Sequence, residues 1–62
     1  MQTIKTQGNR AVVINQNEEK VWANVYVNAR NGIANADITT IRWTGKSVAA
    51  ANKWADKQLV GA

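Results

Sequence analysis

Aromatic, amide and basic side chains are concentrated between Lys20 and Trp43 of this 62-residue sequence. Tryptophan and tyrosine rings are flat surfaces on which bases can stack, and asparagine side chains can bond to base edges. Lysine and arginine neutralise phosphates. These residue types therefore indicate recognition of nucleic acid, either DNA or RNA. The candidate nucleic-acid-binding residues are Trp22, Asn24, Tyr26, Arg30, Arg42 and Lys46.

The same aromatic residues also have a purely structural interpretation. Exposing two tryptophans is unfavourable unless a partner covers them. The rings of Trp22, Tyr26 and Trp43 can instead form the core under a helix, with the aliphatic side of the sheet exposed or paired in a homodimer. The protein would then be a protein-interaction or assembly module, a small inhibitor or structural subunit. It would bind through its apolar sheet face or an edge strand.

Gly45-Lys46-Ser47 matches the end of a phosphate-binding P-loop, and it stands between a predicted strand and a predicted helix. The full pattern requires a glycine five positions before Gly45, where this sequence has Thr40. A P-loop enzyme also needs a parallel sheet and a carboxylate that holds magnesium. We therefore interpret Gly45 as part of a strand-to-helix turn, Ser47 as the helix cap and Lys46 as a phosphate contact.

Several kinds of chemistry are excluded by composition. The sequence has no cysteine and no histidine, which removes disulfides, thiolate chemistry, the commonest transition-metal ligand and the usual general base near neutral pH. Its four carboxylates, on Glu18, Glu19, Asp37 and Asp56, are too scattered to predict a cation site. We expect no catalytic residue, no metal, no cofactor and no small-molecule substrate, and therefore no enzyme.

Residues 20–27 must position the aromatic side chains. In this segment small apolar residues alternate with aromatic or polar ones at a period of two, which is typical of a strand with two unlike sides. Asn31-Gly32 favours a two-residue type I′ turn into the next strand, with a longer flexible loop as the alternative. The tight turn pairs Trp22 with Ile41 and puts Ile38 among the small aliphatic residues of one side. The second side then carries Trp22, Tyr26, Ile41 and Trp43.

The remaining elements follow from shorter patterns. Residues 2–7 and 10–15 predict two strands joined by a tight turn at Gly8-Asn9. Residues 11–14 are all apolar, so we expect the second strand to be buried on both sides. After Trp43 the apolar period becomes that of an amphipathic helix. Its stripe is Val48, Ala51, Ala55 and Leu59, with Trp54 covering one end of the sheet and Gly61 ending the helix.

These elements predict an α+β fold with the order ββββα. A four-stranded antiparallel meander over residues 2–7, 10–15, 20–29 and 34–43 is followed by one C-terminal amphipathic helix over residues 46–60, packed on the sheet. The chain forms a single small domain, residues 1–62. Cores this small usually need a disulfide, a metal or a partner subunit. Since the first two are excluded, a homodimer is the remaining means of stabilisation.

Charge and hydropathy set the expected environment. The formal net charge of +4 favours an anionic partner such as nucleic acid. The first residues lack the apolar core of a signal peptide, and no apolar run approaches the roughly 20 residues of a membrane span. We expect a cytoplasmic protein that does not bind membranes.

Residues 41–54 join the strand segment Ile41-Arg42-Trp43-Thr44-Gly45 to an alanine-rich helix. This outline is similar to the arm-binding domains of phage-type integrases and to plant ethylene-response-type DNA-binding domains, which read duplex DNA with a sheet. It is also similar to single-strand binders of the Whirly and coactivator kind, which dimerise. The resemblance implies nucleic-acid binding through the sheet. The arginine-rich strands of the duplex-reading families are absent from this sequence, and the resemblance assigns the chain to no family.

Overall fold

The computed structural model describes residues 2–60 of the chain. Four strands form one antiparallel sheet in the order β1-β2-β3-β4, and a single helix, α1, packs on one side of it. The predicted α+β meander with a C-terminal helix is confirmed. Gly61, the predicted end of the helix, lies outside the described residues. The elements are β1 (Gln2–Gln7), β2 (Arg10–Gln16), β3 (Val21–Val27), a 3-10 turn (Ile33–Asn35), β4 (Asp37–Gly45) and α1 (Val48–Leu59).

Strand β2 lies inside the sheet and is buried on both sides, as its apolar run predicts. Ala11 and Val12 are 0% exposed, Val13 5% and Ile14 2%. Alternate residues of a strand point to opposite sides, so β2 contributes apolar side chains to the core and also to the side that faces away from it. The side of the sheet that carries Val12 and Ile14 and contacts α1 is called the helix side below.

The first two connections are tight turns with local chemical causes. Gly8 has a φ of 59° between β1 and β2, a conformation that glycine adopts without steric cost. In the second turn the Asn17 side-chain oxygen accepts hydrogen bonds from the backbone N–H groups of Glu19, at 2.8 Å, and Lys20, at 2.9 Å. Asparagine commonly fixes turns in this way. The predicted glycine turn at residue 8 is confirmed.

The connection from β3 to β4 is a loop of residues 28–36, so the predicted two-residue turn at Asn31-Gly32 is wrong and the longer loop is correct. Asn28 leaves the strand with a φ of 58°. Its side-chain amide donates to Asp37 Oδ2 at 2.7 Å and its oxygen accepts from Asn9 Nδ2 at 3.3 Å. Because Asn28 is held by both neighbouring segments, the chain turns there instead of continuing toward Asn31.

The pairing of β3 with β4 differs from the predicted one. Trp22 lies opposite Thr44 and not Ile41, and Tyr26 lies opposite Ile38. Nine residues, an odd number, separate the directly paired Val27 and Asp37. A two-residue turn would leave an even number of residues between every directly paired couple. A shift by an odd number of residues exchanges the two sides of a strand. Every side predicted for β4 is therefore reversed.

Strand β4 also contains a bulge opposite Val25, where the register shifts between Asn24 and Tyr26. The Thr39 hydroxyl donates to the Val25 carbonyl at 2.9 Å and accepts from the Ile41 backbone N–H at 3.1 Å. No residue of β4 pairs directly with Val25, and the Thr39 side chain bonds to it instead. The bulge adds two residues to β4, an even number, so it lengthens the strand without exchanging its sides again.

Helix α1 begins at the predicted cap, because the Ser47 hydroxyl oxygen accepts from the Ala50 backbone N–H at 3.3 Å. Its buried residues are Ala51, Ala55 and Leu59, as the stripe predicts, with Val48 and Trp54 packed at the edges. Alanine permits close approach to the sheet, and the opposing core residues are Val12, Ile14, Val21, Ala23 and Val25. The helix therefore covers the small aliphatic side.

Two polar contacts hold the helix against the strands. Lys5 on β1 pairs with Asp56, and Arg10 Nη1 donates to the Gln58 carbonyl at 3.0 Å. Within residues 2–60, no helix combines the length and the apolar character that crossing a bilayer requires.

Candidate nucleic-acid interface

The side of the sheet opposite α1 is not covered by any described element, and we call it the open face. Its residues follow from the ladder pairs, because directly paired residues point to the same side. Three rows cross the four strands. The open face consists of Gln2, Asn15, Trp22 and Thr44; Ile4, Val13, Asn24 and Arg42; and Thr6, Ala11, Tyr26 and Ile38.

Two of the three predicted aromatic residues lie on this face. Trp22 and Tyr26 are half-buried there, on either side of Asn24. Since four residues of a strand span about 13 Å, the two rings are separated by roughly that distance along β3. Trp43 lies opposite Ala23 on the helix side and packs against the core cluster, so its predicted place beside Trp22 is wrong. The reversal of β4 by the odd-length loop is the reason.

Gly45 explains how Trp43 fits on the helix side. The two residues are two positions apart on β4 and point the same way. A Cβ atom built on Gly45 would lie 2.6 Å from Cζ2 and 3.2 Å from Cζ3 of the Trp43 ring. Glycine is therefore required here by the indole that lies over it. Gly45 is the last residue of β4, and the turn into α1 is formed by Lys46 and Ser47.

A concavity of about 400 Å3 lies beside Trp22 at one end of the open face. Its wall includes Asn24, Arg42 and Thr44. The wall is completed by Ala23 and Trp43, which lie between these residues on the two strands. Lys20 also borders the concavity, with its Nζ atom 5.5 Å from the centroid of the Trp22 ring. That distance is within the range of a cation–π contact.

The contact of Lys20 with Trp22 is weak enough for a stacked ligand to replace it. An exposed cation–π contact contributes about 0.5–1 kcal/mol, whereas stacking of a base on an aromatic side chain contributes about 1–3 kcal/mol. The Lys20 contact therefore leaves the Trp22 ring available to a stronger stacking contact.

Charges are sorted between the two sides of the sheet. The open face includes no carboxylate, and Arg42 on it is exposed with no ion pair among the described residues. On the helix side, Lys5 and Arg10 are held by α1. The carboxylate of Asp56 pairs with Lys5, and that of Asp37 accepts from Asn28. Apart from Arg10, the cations without an ion pair among the described residues therefore lie on the open face, beyond its ends and on the exposed side of α1, which carries Lys53 and Lys57.

The remaining carboxylates border one end of this face. Glu18 and Glu19 are exposed in the turn between β2 and β3, immediately before Lys20. Their negative charges lie at the end of the face that carries Trp22. A polyanion crossing the open face is repelled at this end and attracted along Arg42.

Four of the six candidate residues share the open face, namely Trp22, Asn24, Tyr26 and Arg42. Arg30 is exposed in the loop after β3, and Lys46 is exposed in the turn after β4. These two lie at opposite ends of the strands, since β3 and β4 are antiparallel. The length of β3 implies a separation of roughly 20 Å. They flank the surface and are not part of one cluster.

Three contributors to this surface, Ile4, Ile38 and Thr44, were not predicted, whereas the alternation of residues 20–27 places Lys20 on the same side as Trp22. Ile4 and Ile38 are 45% and 61% exposed on the open face, and Thr44 and Lys20 border the concavity. Alternation in β1 could have placed Ile4, because it shares a side with the polar neighbours Gln2 and Thr6. No local signal could have placed Ile38 or Thr44, because their side depends on the number of residues in the loop.

Comparison with known proteins adds no relative: no family model, no curated protein and no solved structure matches the chain. The similarity in outline to sheet-based DNA-binding domains thus gains no support from solved structures. Among residues 2–60 there is also no group of three acidic, histidine or cysteine side chains that could hold a metal ion.

Proposed function

We propose that the chain is a small non-enzymatic nucleic-acid-binding module of the cytoplasm, with a regulatory role, that binds through the open face. One observation carries this proposal. Trp22 and Tyr26 lie on an uncovered sheet surface that carries the cation Arg42, borders the cation Lys20 and includes no carboxylate among the described residues. Aromatic rings combined with unpaired positive charge are the two elements of binding to nucleic acid.

Stacking supplies the sequence-independent part of the expected affinity. Two rings at about 1–3 kcal/mol each outweigh the displacement of Lys20 from Trp22, which costs about 0.5–1 kcal/mol. Asn24 lies between the rings and opposite Arg42. Its amide is available to a base edge, and the guanidinium is available to the adjoining phosphate.

Positive charge supplies the salt-dependent part of the affinity. Lys20, Arg30, Arg42 and Lys46 lie on the face or flank its ends. If all four contact phosphates, the slope of log K against log salt is about −2.8 for a single strand and about −3.6 for a duplex. The measurement is fluorescence titration of the protein with an oligonucleotide between about 0.05 and 0.2 M NaCl.

Two variants with equal charge test which surface is used. Arg30→Gln/Arg42→Gln removes two predicted phosphate contacts, so the slope should become shallower by about 1.4–1.8. Lys53→Gln/Lys57→Gln removes the same charge from the exposed side of α1 and should leave the slope unchanged. Equal effects of the two variants, or a slope near zero for the parent protein, would contradict the proposal.

A second candidate function is favoured by the apolar residues of the same face. Ile4 and Ile38 are large, exposed and unpartnered among the described residues. Because α1 covers the aliphatic side, a protein partner or second copy must use the open face or an edge strand. In that case light scattering gives a dimer mass, Ile38→Glu returns the protein to a monomer, and nucleic acid leaves the tryptophan emission unchanged.

A further inference from the structure

We infer that the concavity beside Trp22 holds one unpaired base of a single-stranded nucleic acid, which makes single strands the preferred ligand. The inference rests on the proposed function and specifies its ligand. The base would lie against the Trp22 ring, with Asn24 and Thr44 at its edge and Arg42 at the neighbouring phosphate. The concavity, at about 400 Å3, is within the range of roughly 300–1,000 Å3 usual for sites that bind small molecules.

The wall of the concavity selects the chemistry of its occupant. Lys20 and Arg42 border it and no carboxylate does, so an anionic ligand is favoured. The Trp22 ring favours a flat ligand, and the Asn24 amide and Thr44 hydroxyl favour one with hydrogen-bonding edges. A planar heterocycle attached to a phosphate meets all three requirements. A nucleotide unit is the matching ligand.

The extent of the face argues for a strand and against a free nucleotide. Tyr26 offers a second ring about 13 Å from Trp22 along β3, outside the wall of the concavity. A single strand that places one base in the concavity can continue toward Tyr26 and stack a second base there. Arg42, opposite Asn24 between the two rings, lies next to the connecting phosphates.

The shape of the sheet argues against a duplex. Three spacings between four strands make the sheet about 14 Å wide, before side chains are added. The major groove of B-DNA is about 12 Å wide and admits a two-stranded ribbon. In a duplex, each base is also stacked on both of its faces, so Trp22 could reach one only by unstacking it. A single strand presents its bases without that requirement.

The experiment compares four ligands by fluorescence anisotropy in the same low-salt buffer. They are a thymidine strand of about 12 nucleotides, an abasic strand of the same length, a duplex of the same length and thymidine monophosphate. We expect the thymidine strand to bind at least about tenfold more tightly than each of the others. Equal affinity of the abasic strand would overturn the base site, and equal affinity of the duplex would overturn the preference for single strands.

The other outcomes separate this inference from the proposed function. If the mononucleotide binds as tightly as the strand, the site takes a free nucleotide and the strand inference is wrong. In the abasic and duplex cases nucleic-acid binding itself still stands. If no strand or duplex binds, the proposed function fails together with the inference.

Trp22 variants test the location of the base. Trp22→Leu removes the ring and should weaken binding of the thymidine strand by about 5- to 150-fold. Trp22→Phe keeps an aromatic plane and should retain most of the affinity. Trp22 is outside the core cluster, and thermal unfolding of each variant checks that the fold is intact. If folded Trp22→Leu binds like the parent protein, the base does not lie at Trp22 and the inference is wrong.

Discussion

Gly45 and Trp43 illustrate how a single residue can be fixed by a neighbour on its own strand. The indole ring of Trp43 extends along β4 and covers Gly45, where a side chain would overlap it. Trp43 also packs against the core cluster under α1, so it is not free to swing away. The glycine that sequence analysis assigned to a turn is therefore needed for packing.

Replacing Gly45 with alanine should destabilise the protein. The new Cβ forces the Trp43 ring to shift, and such overpacking costs about 1–3 kcal/mol. In a domain of this size each kcal/mol lowers the melting temperature by about 4–8 °C, which circular dichroism can measure. The control is a double-mutant cycle with Trp43→Leu, in which the penalty of Gly45→Ala should shrink. An unchanged penalty in that background would show that the indole is not the cause.

At the scale of elements, β4 is the least regular strand and depends on Thr39. At the bulge, where the register with β3 shifts, the Thr39 hydroxyl donates a hydrogen bond to the Val25 carbonyl. The same oxygen accepts from the Ile41 N–H. One side chain therefore satisfies two backbone groups at an edge of the sheet.

Thr39→Val keeps the shape of the side chain and removes its hydroxyl. Two backbone groups lose their partner, and the Val25 carbonyl lies in a part-buried position. We expect unfolding by urea to show a loss of about 1–3 kcal/mol. Thr40→Val is the matched control, because Thr40 is exposed and surface substitutions usually change stability by less than about 0.5 kcal/mol. Equal losses in both variants would argue against this role of Thr39.

Most elements could be predicted because their signals are local. The apolar stripe and the Ser47 cap place α1 close to its observed bounds, and the apolar run of residues 11–14 places β2 inside the sheet. The loop after β3 could not be predicted, because Asn31-Gly32 is a strong turn signal while Asn28 acts through distant partners, Asn9 and Asp37. The hydrogen bonds of Asn28 with residues distant in sequence therefore determine where the chain turns, and the local turn propensity of Asn31-Gly32 does not.

At the scale of the whole molecule, the sheet separates two tasks by side. The helix side uses Lys5 and Arg10 to hold α1, and the open face leaves Arg42 unpaired among the described residues. The net charge of +4 alone does not reveal this division. The direction in which positive charge points is a property of the fold and not of composition.

The acidic turn gives a test at this scale. Glu18→Gln/Glu19→Gln removes repulsion at the Trp22 end of the open face, so binding of a single strand should strengthen. Two charges at about 10 Å in water, with little screening, correspond to an increase of about 2- to 4-fold at low salt. The effect should vanish in about 1 M salt, where the screening length is about 3 Å. A gain that persists at high salt would have another cause.

The part of the candidate site that lies on β3 could be predicted, because successive residues of a strand alternate between its two sides. This alternation places Trp22, Asn24 and Tyr26 on one side of β3, as the structure shows. The partners from β4 were not predictable, because one residue more or less in the loop decides whether Trp43 or Arg42 joins them. The predicted register placed Arg42 opposite Val21 on the aliphatic side, and the structure places it opposite Asn24 on the open face.

The order of elements along the chain has a consequence for synthesis on the ribosome. The strands come first, and the residues that cover their aliphatic side, Ala51, Ala55 and Leu59, come last. About 40 residues separate the end of β2 from Leu59, which at about 5–20 residues per second takes roughly 2–8 s. Until α1 docks, no helix covers Val12 and Ile14 on the helix side. A folding intermediate in which the strands have paired before α1 docks therefore exposes these apolar side chains and is prone to aggregate.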